Sequence, residues 1–324
     1  MKRREVMTLI AGAISWPCMA QPQPRAKPYR IGFLSQQPGQ SSLFSRTFVE
    51  ALRDLGYVEG QNITIEWRFT PDGEKLFSLA TELVGLNLDV LVTGAGPAIR
   101  AAKQATSTTP IVMSFSGDPV GTGLVPTLSR PGGNLTGLSF MSPDLSAKRV
   151  EVLAEAFPDL QRLATLWNPE DPVYALELER TERAARGLGM RLLPVSVSVV
   201  SDFEAAFREI VAARADALIV FAHALTIANS RSLIEIANRQ RFPTMYGLRE
   251  YVLEGGLMAY GPRLTESFRR AAVYVDRILE GARPAEMPIE QPTSFELALN
   301  LRTARALGLD FPATLLARAD EVIE

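Results

Sequence analysis

The hydrophobic pattern of this chain alternates between two periods. Short apolar runs, typical of buried strands, are followed by longer stretches in which apolar residues recur every three or four positions, as in a helix. We predict strands at residues 30–34, 63–69, 89–92, 110–115, 163–167, 191–195, 217–221 and 257–260. We predict helices at residues 43–55, 74–86, 97–105, 173–188, 202–213, 227–241, 264–279 and 294–307.

Single helices separate most of the predicted strands. This order predicts parallel sheets with helices on both faces, because parallel neighbours need a crossover connection that is usually a helix. Two such runs are divided near residues 132–143, and a chain of 324 residues is long enough for two lobes. The pattern therefore predicts an α/β fold made of two doubly wound lobes.

The first twenty residues have the layout of an export signal. Lys2-Arg3-Arg4 forms a basic start, and residues 6–16 form an apolar run that is too short to span a bilayer. Cleavage is expected after Ala20, and the Pro/Gln-rich residues 21–28 are predicted to be an extended leader. We therefore expect a signal peptide at residues 1–20 and a periplasmic location.

Two details of this segment leave alternatives open. The Arg3-Arg4 pair before a weakly apolar run is typical of twin-arginine export, and ordinary secretion is the alternative route. Cys18 invites a lipid anchor, but Trp16 and Pro17 stand where that modification prefers small residues, so we expect none. A buried N-terminal helix is the alternative to a signal peptide.

Composition narrows the function classes. The formal net charge is −2 and no stretch is rich in Lys or Arg, which argues against nucleic acid as a partner. Cys18 is the only cysteine and His223 the only histidine, so a disulfide within the chain is excluded and a transition-metal site is disfavoured. We expect no cofactor, no metal and no enzyme activity, since any Ser–His or Cys–His pair would have to use His223.

In open α/β sheets, ligands bind beyond the carboxyl ends of the strands. Two lobes whose loops face each other at these ends form a cleft, and clefts between domains are common small-molecule sites. We predict that the ligand-binding residues lie in these loops. The candidates are Ser35, Gln36, Gly94, Ala95, Gly96, Ser116, Asp118, Asn168, Asp171, His223, Tyr246 and Arg249.

The glycine-containing turn at residues 94–97 follows a strand and opens a helix. A dinucleotide fingerprint would need a third glycine where Ile99 stands, so nucleotide binding is disfavoured. Two interpretations are equally supported. The backbone N–H groups of the turn suit a carboxylate at a helix N-terminus, or the turn only joins strand to helix.

Asp118, Asp171 and His223 each have a functional and a structural interpretation. Asp118 can bind an ammonium or hydroxyl group of a ligand, or can cap the segment that follows it. Asp171 can contact a ligand, or can cap the helix that is predicted to begin at Val173. His223 directly follows a predicted strand, where it can contact a ligand or make a structural hydrogen bond.

The same holds for two residues after the segment 242–245. Arg249 can bind a carboxylate with two parallel hydrogen bonds, or can pair with Glu250 or another acid. Tyr246 can stack on an apolar ligand or pack in the core.

Several stretches resemble the ABC-transporter substrate-binding family that includes tryptophan- and phenylalanine-binding receptors. They are residues 48–63 (FVEALRDLGYVEGQNI), 118–120 (DPV), 128–137 (LSRPGGNLTG), 255–262 (GGLMAYGP) and 315–323 (LLARADEVI). The resemblance covers nearly all of residues 29–324.

The resemblance implies a type I periplasmic-binding fold, with two Rossmann-like lobes, a three-segment hinge and closure on the ligand. It assigns residues 29–142 plus about 262–290 to an N-terminal lobe. Residues 143–261 plus about 291–324 then form a C-terminal lobe.

The family implies a receptor that hands its ligand to an ABC permease in the inner membrane. We expect a monomer that binds a small amino-acid-like or aromatic carboxylate ligand. Many members carry an Asp-Pro pair where this chain has His223-Ala224, and this departure argues against an α-amino acid if that acid binds the ligand amine. The alternatives are a ligand sensor for an exported signalling partner and, less favoured, an α/β enzyme.

Overall fold

The computed structural model of the protein describes residues 27–36 and 39–324. The predicted signal peptide at residues 1–20, Cys18 and most of the predicted leader at 21–28 lie outside the described residues. Within the described ranges, no helix combines the length and the apolar character that crossing a membrane requires.

The described residues form twelve strands and twelve α-helices. The strands are β1 (Tyr29–Ser35), β2 (Ile63–Phe69), β3 (Val90–Gly94), β4 (Ile111–Ser116), β5 (Leu135–Ser139), β6 (Arg162–Trp167), β7 (Arg191–Ser196), β8 (Ala217–Val220), β9 (Thr244–Tyr246), β10 (Met258–Gly261), β11 (Glu296–Asn300) and β12 (Glu321–Ile323). The helices are α1 (Leu43–Asp54), α2 (Leu76–Gly85), α3 (Gly96–Ala105), α4 (Ser146–Ala156), α5 (Pro172–Gly187), α6 (Asp202–Ala212), α7 (Ala224–Ala228), α8 (Ser230–Arg239), α9 (Arg249–Leu253), α10 (Leu264–Leu279), α11 (Leu301–Leu307) and α12 (Ala313–Leu316).

The first sheet has the strand order β2-β1-β3-β4-β5, and every neighbouring pair is parallel. Successive side chains of β1 and β3 lie on opposite faces of the sheet and belong to different hydrophobic cores. Ile31 and Phe33 pack with α1 and α10, whereas Leu34 packs with α2 and α3. Because both faces are covered, these strands are apolar runs without a polar face.

The second sheet has the order β12-β11-β10-β9-β8-β6-β7, and only β10 and β11 pair antiparallel within it. One face packs on α6, α8 and α9 through Phe203, Phe207, Leu233 and Tyr251. The opposite face packs on α4, α5, α11 and α12. The predicted α/β class with two doubly wound lobes is therefore confirmed.

The chain passes between the two sheets three times. It leaves β5 for α4 through residues 140–145, and it leaves β10 for α10 through residues 262–263. The third passage precedes β11, after a segment that is held beside β5 by a parallel bridge between Leu138 and Glu290. The three passages therefore lie at residues 140–145, at residues 262–263 and between Glu290 and Glu296.

One predicted element has the wrong type. Residues 294–307 were expected to be a single helix, but Glu296–Asn300 forms β11 and only Leu301–Leu307 is helical. The sheet overrides the helical spacing because Leu299 pairs with Met258 of β10. The side chain of Asn300 then starts the helix by accepting a hydrogen bond from the Thr303 N–H at 2.9 Å.

Two smaller differences concern one helix of the second lobe and the elements around the first passage. The helix predicted at 227–241 is divided at Asn229 into α7 and α8. Strand β5 and helix α4 were not predicted, and they flank the first passage between the lobes.

A buried ion pair holds the first two passages together. Arg149 of α4 lies 2.7 Å from Glu177 of α5, and both side chains are almost completely inaccessible. The Arg149 guanidinium also donates to the Ser142 carbonyl in the first passage and to the Tyr260 carbonyl just before the second, at 3.4 and 3.0 Å. Burial raises the pKa of Glu177, and the neighbouring guanidinium opposes that rise.

Replacing Arg149 with methionine should lower the free energy of unfolding by about 3–5 kcal/mol, because Glu177 would remain as an uncompensated buried carboxylate. Urea denaturation monitored by circular dichroism measures the change. The double variant Arg149→Met/Glu177→Leu is the matched control and should be more stable than Arg149→Met alone. A double variant that is no more stable would contradict this account.

Candidate functional site

The site lies where the strand order of each sheet reverses. In the first sheet, β1 and β3 diverge toward opposite edges, and in the second sheet β6 and β8 do the same. Such switch points leave a crevice at the carboxyl ends of the strands. Ser35 is the last residue of β1, and the loops after β3, β6 and β8 carry Ala95, Asn168 and His223.

Two adjoining cavities separate the lobes at this level. The smaller, of about 20 Å³, has room for about one water molecule. Its walls are almost entirely apolar, and they are formed by Ala95, Gly96, Phe115, Gly117, Phe140, Ser142, Val173, Tyr174, Ala222, Ile227, Leu248 and Leu264.

The larger cavity has a volume of about 510 Å³, within the range of small-molecule sites. The first turn of α1 forms one wall, and α7, α8 and α9 form the other. Its lining residues are Ser42, Leu43, Phe44, Ile227, Ala228, Asn229, Ser230, Arg231, Ser232, Leu248, Glu250, Tyr251 and Glu254. Ile227 and Leu248 border both cavities, so the two cavities adjoin at these side chains.

Next to the small cavity, the two lobes are in direct contact. Asp171 caps α5 by accepting a hydrogen bond from the Val173 N–H, and its Oδ1 also lies 3.0 Å from Nη1 of Arg100 on α3 of the other lobe. Asp171 is only 2% exposed, and its Oδ2 has no hydrogen-bond partner. A Cβ atom at Gly96 would lie 2.0 Å from this Oδ2, so only glycine allows this approach.

Ala95 forms the turn before α3 with a φ of 64°, in the left-handed region. Its N–H donates to the Phe115 carbonyl at 3.2 Å, which anchors the turn to the neighbouring strand. A non-glycine residue at this φ is strained, and such strain is concentrated at ligand sites. The turn at residues 94–96 therefore lies against the cleft and contacts the opposite lobe.

Asp118 is bonded within its own loop. Its Oδ1 accepts the Gly121 N–H at 2.8 Å, and its carbonyl accepts the Thr122 hydroxyl at 2.6 Å. The preceding Gly117 faces Val173 of α5, where an added Cβ would lie 2.5 Å from a methyl group. This loop therefore contacts the opposite lobe through Gly117, and the carboxylate of Asp118 stabilises the loop.

His223 is buried at the start of α7 and is 3% exposed. Its ring contacts the Tyr174 ring edge-on at a centroid distance of 5.4 Å, and its Nε2 has no hydrogen-bond partner. The backbone N–H of His223 donates to the Thr226 hydroxyl. Burial lowers the pKa of His223 to about 3, so the ring is neutral at physiological pH.

Tyr246 and Arg249 lie behind the cavities. The Tyr246 ring is fully buried and stacks on Tyr251 at a centroid distance of 4.8 Å. Arg249 forms ion pairs with Glu296 at 3.7 Å and Glu321 at 3.2 Å, both on the second sheet. Neither Tyr246 nor Arg249 is among the residues that line the two cavities.

The remaining candidates lie at or just after the ends of strands. The Ser35 carbonyl accepts the Thr70 N–H at 3.1 Å, and the Ser116 carbonyl accepts the Phe140 N–H at 2.6 Å. Asn168 accepts the Glu170 N–H through its side chain at 2.8 Å, which forms a turn. Gln36 is half-buried and ends the first described segment.

Sequence reasoning missed the residues that line the larger cavity. Among them, Glu250 of α9 has a carboxylate oxygen, Oε2, that is inaccessible to solvent and without a hydrogen-bond partner. The sequence did place Glu250 in a loop cluster with Tyr246 and Arg249. Nothing in the spacing distinguished which of the three borders the cavity.

Within the described residues, no group of three or more His, Cys, Asp or Glu side chains has the geometry to hold a metal ion. The arrangement is instead a partly polar cavity between two lobes. Such a cavity can enclose a small organic molecule and bind it with side chains from both lobes.

Comparison with known proteins gives one matching family model, described as ABC transporter substrate binding protein, over residues 39–323. A tyrosine-binding protein from Clostridioides difficile is 26% identical over 264 residues, which cover 81% of this chain and 75% of that protein.

Two solved structures are similar over nearly the whole chain. A conserved domain protein from Vibrio cholerae has a TM-score of 0.86 and 27% identity, and the match covers 91% of this chain and all of that one. An ABC domain from Streptococcus pneumoniae in complex with L-Trp has a TM-score of 0.85 and 23% identity, with 92% and 100% coverage.

Replacing Gly96 with alanine should oppose closure of the lobes, because the new Cβ would overlap the buried carboxylate of Asp171. We expect a larger radius of gyration in small-angle X-ray scattering, with an unchanged far-ultraviolet circular dichroism spectrum. Gly85→Ala at the end of α2 is the control, since nothing lies within 4 Å of its added Cβ. A Gly96→Ala protein as compact as the wild type would refute this role.

His223 should make the protein acid-sensitive. Its pKa is lower in the folded protein (about 3) than its ordinary value of 6.5, so the unfolded chain binds the extra proton between these pH values. Stability contributed by the neutral ring is fully present above pH 6.5 and is lost as the pH falls toward 3. The slope is at most about 1.4 kcal/mol per pH unit.

The measurement is the urea midpoint at pH 7.5, 6, 5 and 4 for wild type and His223→Gln. The difference between the two proteins isolates the histidine from the carboxylates, and the variant should lose less stability on acidification. Parallel curves for the two proteins would show that His223 titrates normally.

Proposed function

Because the chain belongs to the ABC transporter substrate binding protein family, we propose that it is the exported receptor of an ABC importer. In this proposal it binds a small molecule between its lobes and delivers it to a permease in the inner membrane. Its fold is that of type I periplasmic binding proteins. The observation that carries the proposal is the cavity of about 510 Å³, whose walls come from both lobes.

The proposed ligand is amino-acid-like or a small aromatic carboxylate. A related protein is named for tyrosine binding, and a structural neighbour was solved with L-Trp. The cavity supports this class because Phe44 and Tyr251 offer aromatic surface beside the aliphatic Leu43, Ile227 and Leu248.

The roles of the predicted site residues follow from their positions. Ala95 and Gly96 of the N-terminal lobe border the small cavity and form part of the closing surface. Asp171 belongs to the same surface, through Arg100. For His223 we propose support of the Tyr174 ring, which borders the small cavity, instead of a catalytic role.

Ligand binding and lobe closure are coupled in this proposal. A ligand that contacts α1 and α9 together is bound fully only when the lobes are closed, and such differential contact shifts the population toward the closed form. A monomer in the periplasm needs no further component for this step.

A thermal-shift screen of residues 21–324, refolded from denaturant to remove trapped ligand, tests the proposal. The panel contains the twenty L-amino acids, phenethylamine, 3-phenylpropanoate, 3-indolepropanoate and succinate. A receptor should show a rise in melting temperature that is specific and increases with ligand concentration. No shift with any member of the panel would overturn the proposed ligand class.

A further inference from the structure

We propose that Glu250 binds the positively charged group of the ligand, so that the interlobe cavity selects small molecules that carry an ammonium group. This inference rests on the proposed function, because it names the chemistry by which the same cavity would choose its ligand. It identifies an acid at the cavity wall that is supplied by α9 of the C-terminal lobe.

The first observation is a carboxylate without a partner. Glu250 lines the larger cavity, yet its Oε2 is shielded from solvent and accepts no hydrogen bond. Burial raises the pKa of this carboxyl, since the charged form is poorly solvated there. Its own backbone N–H and the charge of Arg249 oppose that rise only in part, and a buried carboxylate oxygen without a donor is costly until a cation or a hydrogen-bond donor is added.

The second observation is that the neighbouring cations are engaged elsewhere. Arg249, the adjacent residue, forms its ion pairs with Glu296 and Glu321. Arg231, on the cavity rim, lies 4.0 Å from Glu254, and its side chain is 83% exposed. Of the charges around the described cavity, Glu250 is therefore the one that a ligand cation can neutralise.

The third observation concerns the opposite wall. Leu43 and Phe44 lie in the first turn of α1, where backbone N–H groups have no acceptor within the helix. A helix N-terminus favours negative charge. A zwitterion would thus place its ammonium at the C-terminal lobe and its carboxylate at the N-terminal lobe, and would join the two.

Glu254 provides a matched comparison. It lies one helical turn after Glu250 and borders the same cavity, but its carboxylate already accepts the Ser230 hydroxyl and faces Arg231. Glu250→Gln and Glu254→Gln remove the same charge from the same wall. Only the first should remove the partner of a ligand ammonium.

Isothermal titration calorimetry of wild type and both variants tests the inference with the probes of the thermal-shift panel. We expect binding by ammonium-bearing probes only. Glu250→Gln should weaken the tightest amino acid by about 30-fold or more, the usual effect of truncating one partner of a buried charge pair. Glu254→Gln should change it by less than about 3-fold, as for an exposed ion pair.

The melting temperature of the ligand-free variants separates ligand binding from a structural role. Glu250→Gln should be at least as stable as the wild type, because burial of the charged carboxylate is unfavourable and its Oε2 has no hydrogen-bond partner. A lower melting temperature, together with equal weakening of every ligand, would overturn the inference.

Three other outcomes are also decisive. If 3-phenylpropanoate or 3-indolepropanoate binds as tightly as the corresponding amino acid, ammonium selection is wrong and the receptor proposal stands. If Glu250→Gln and Glu254→Gln weaken binding equally, Glu250 has no special role. If no probe binds the wild type, the proposed ligand class fails, and the inference fails with it.

Discussion

Arg149 of α4 contacts the first two passages between the lobes. Its guanidinium donates to the Ser142 carbonyl in the first passage and to the Tyr260 carbonyl just before the second. Its charge is balanced by Glu177 in a site from which water is excluded. Because a buried guanidinium needs all of these partners, the two passages have a fixed separation. The cluster thus ties two of the three passages to each other, while the segment before the third is held beside β5 by the bridge between Leu138 and Glu290.

Along one side of the cleft the two lobes are in close contact, and along the other side they are separated by a cavity. Where Gly96 and Gly117 face Asp171 and Val173, the lobes touch without room for a methyl group. On the α1 side they enclose the cavity that contains Glu250. Contact on one side and space on the other allow the lobes to close around a ligand while the chain keeps its own interlobe contacts.

Much of the fold could be predicted from the sequence, because both faces of each parallel strand are buried and leave an apolar run such as residues 89–92. Strand β11 could not, since its type depends on pairing with β10. The site was harder still. Asp118 and Glu250 are both acids near strand ends, but only the folded protein gives Asp118 an N–H partner and leaves an oxygen of Glu250 without one.

The ion pair between Arg100 and Asp171 joins the lobes with no contribution from a ligand. It therefore lowers the conformational cost that a ligand must overcome, which raises the apparent affinity. The same bond also favours closure of the empty protein. In the proposed receptor role, a membrane partner that recognises the closed shape would encounter empty and loaded molecules alike, and the rate of delivery would depend on the ratio of the two as well as on the amount of loaded receptor.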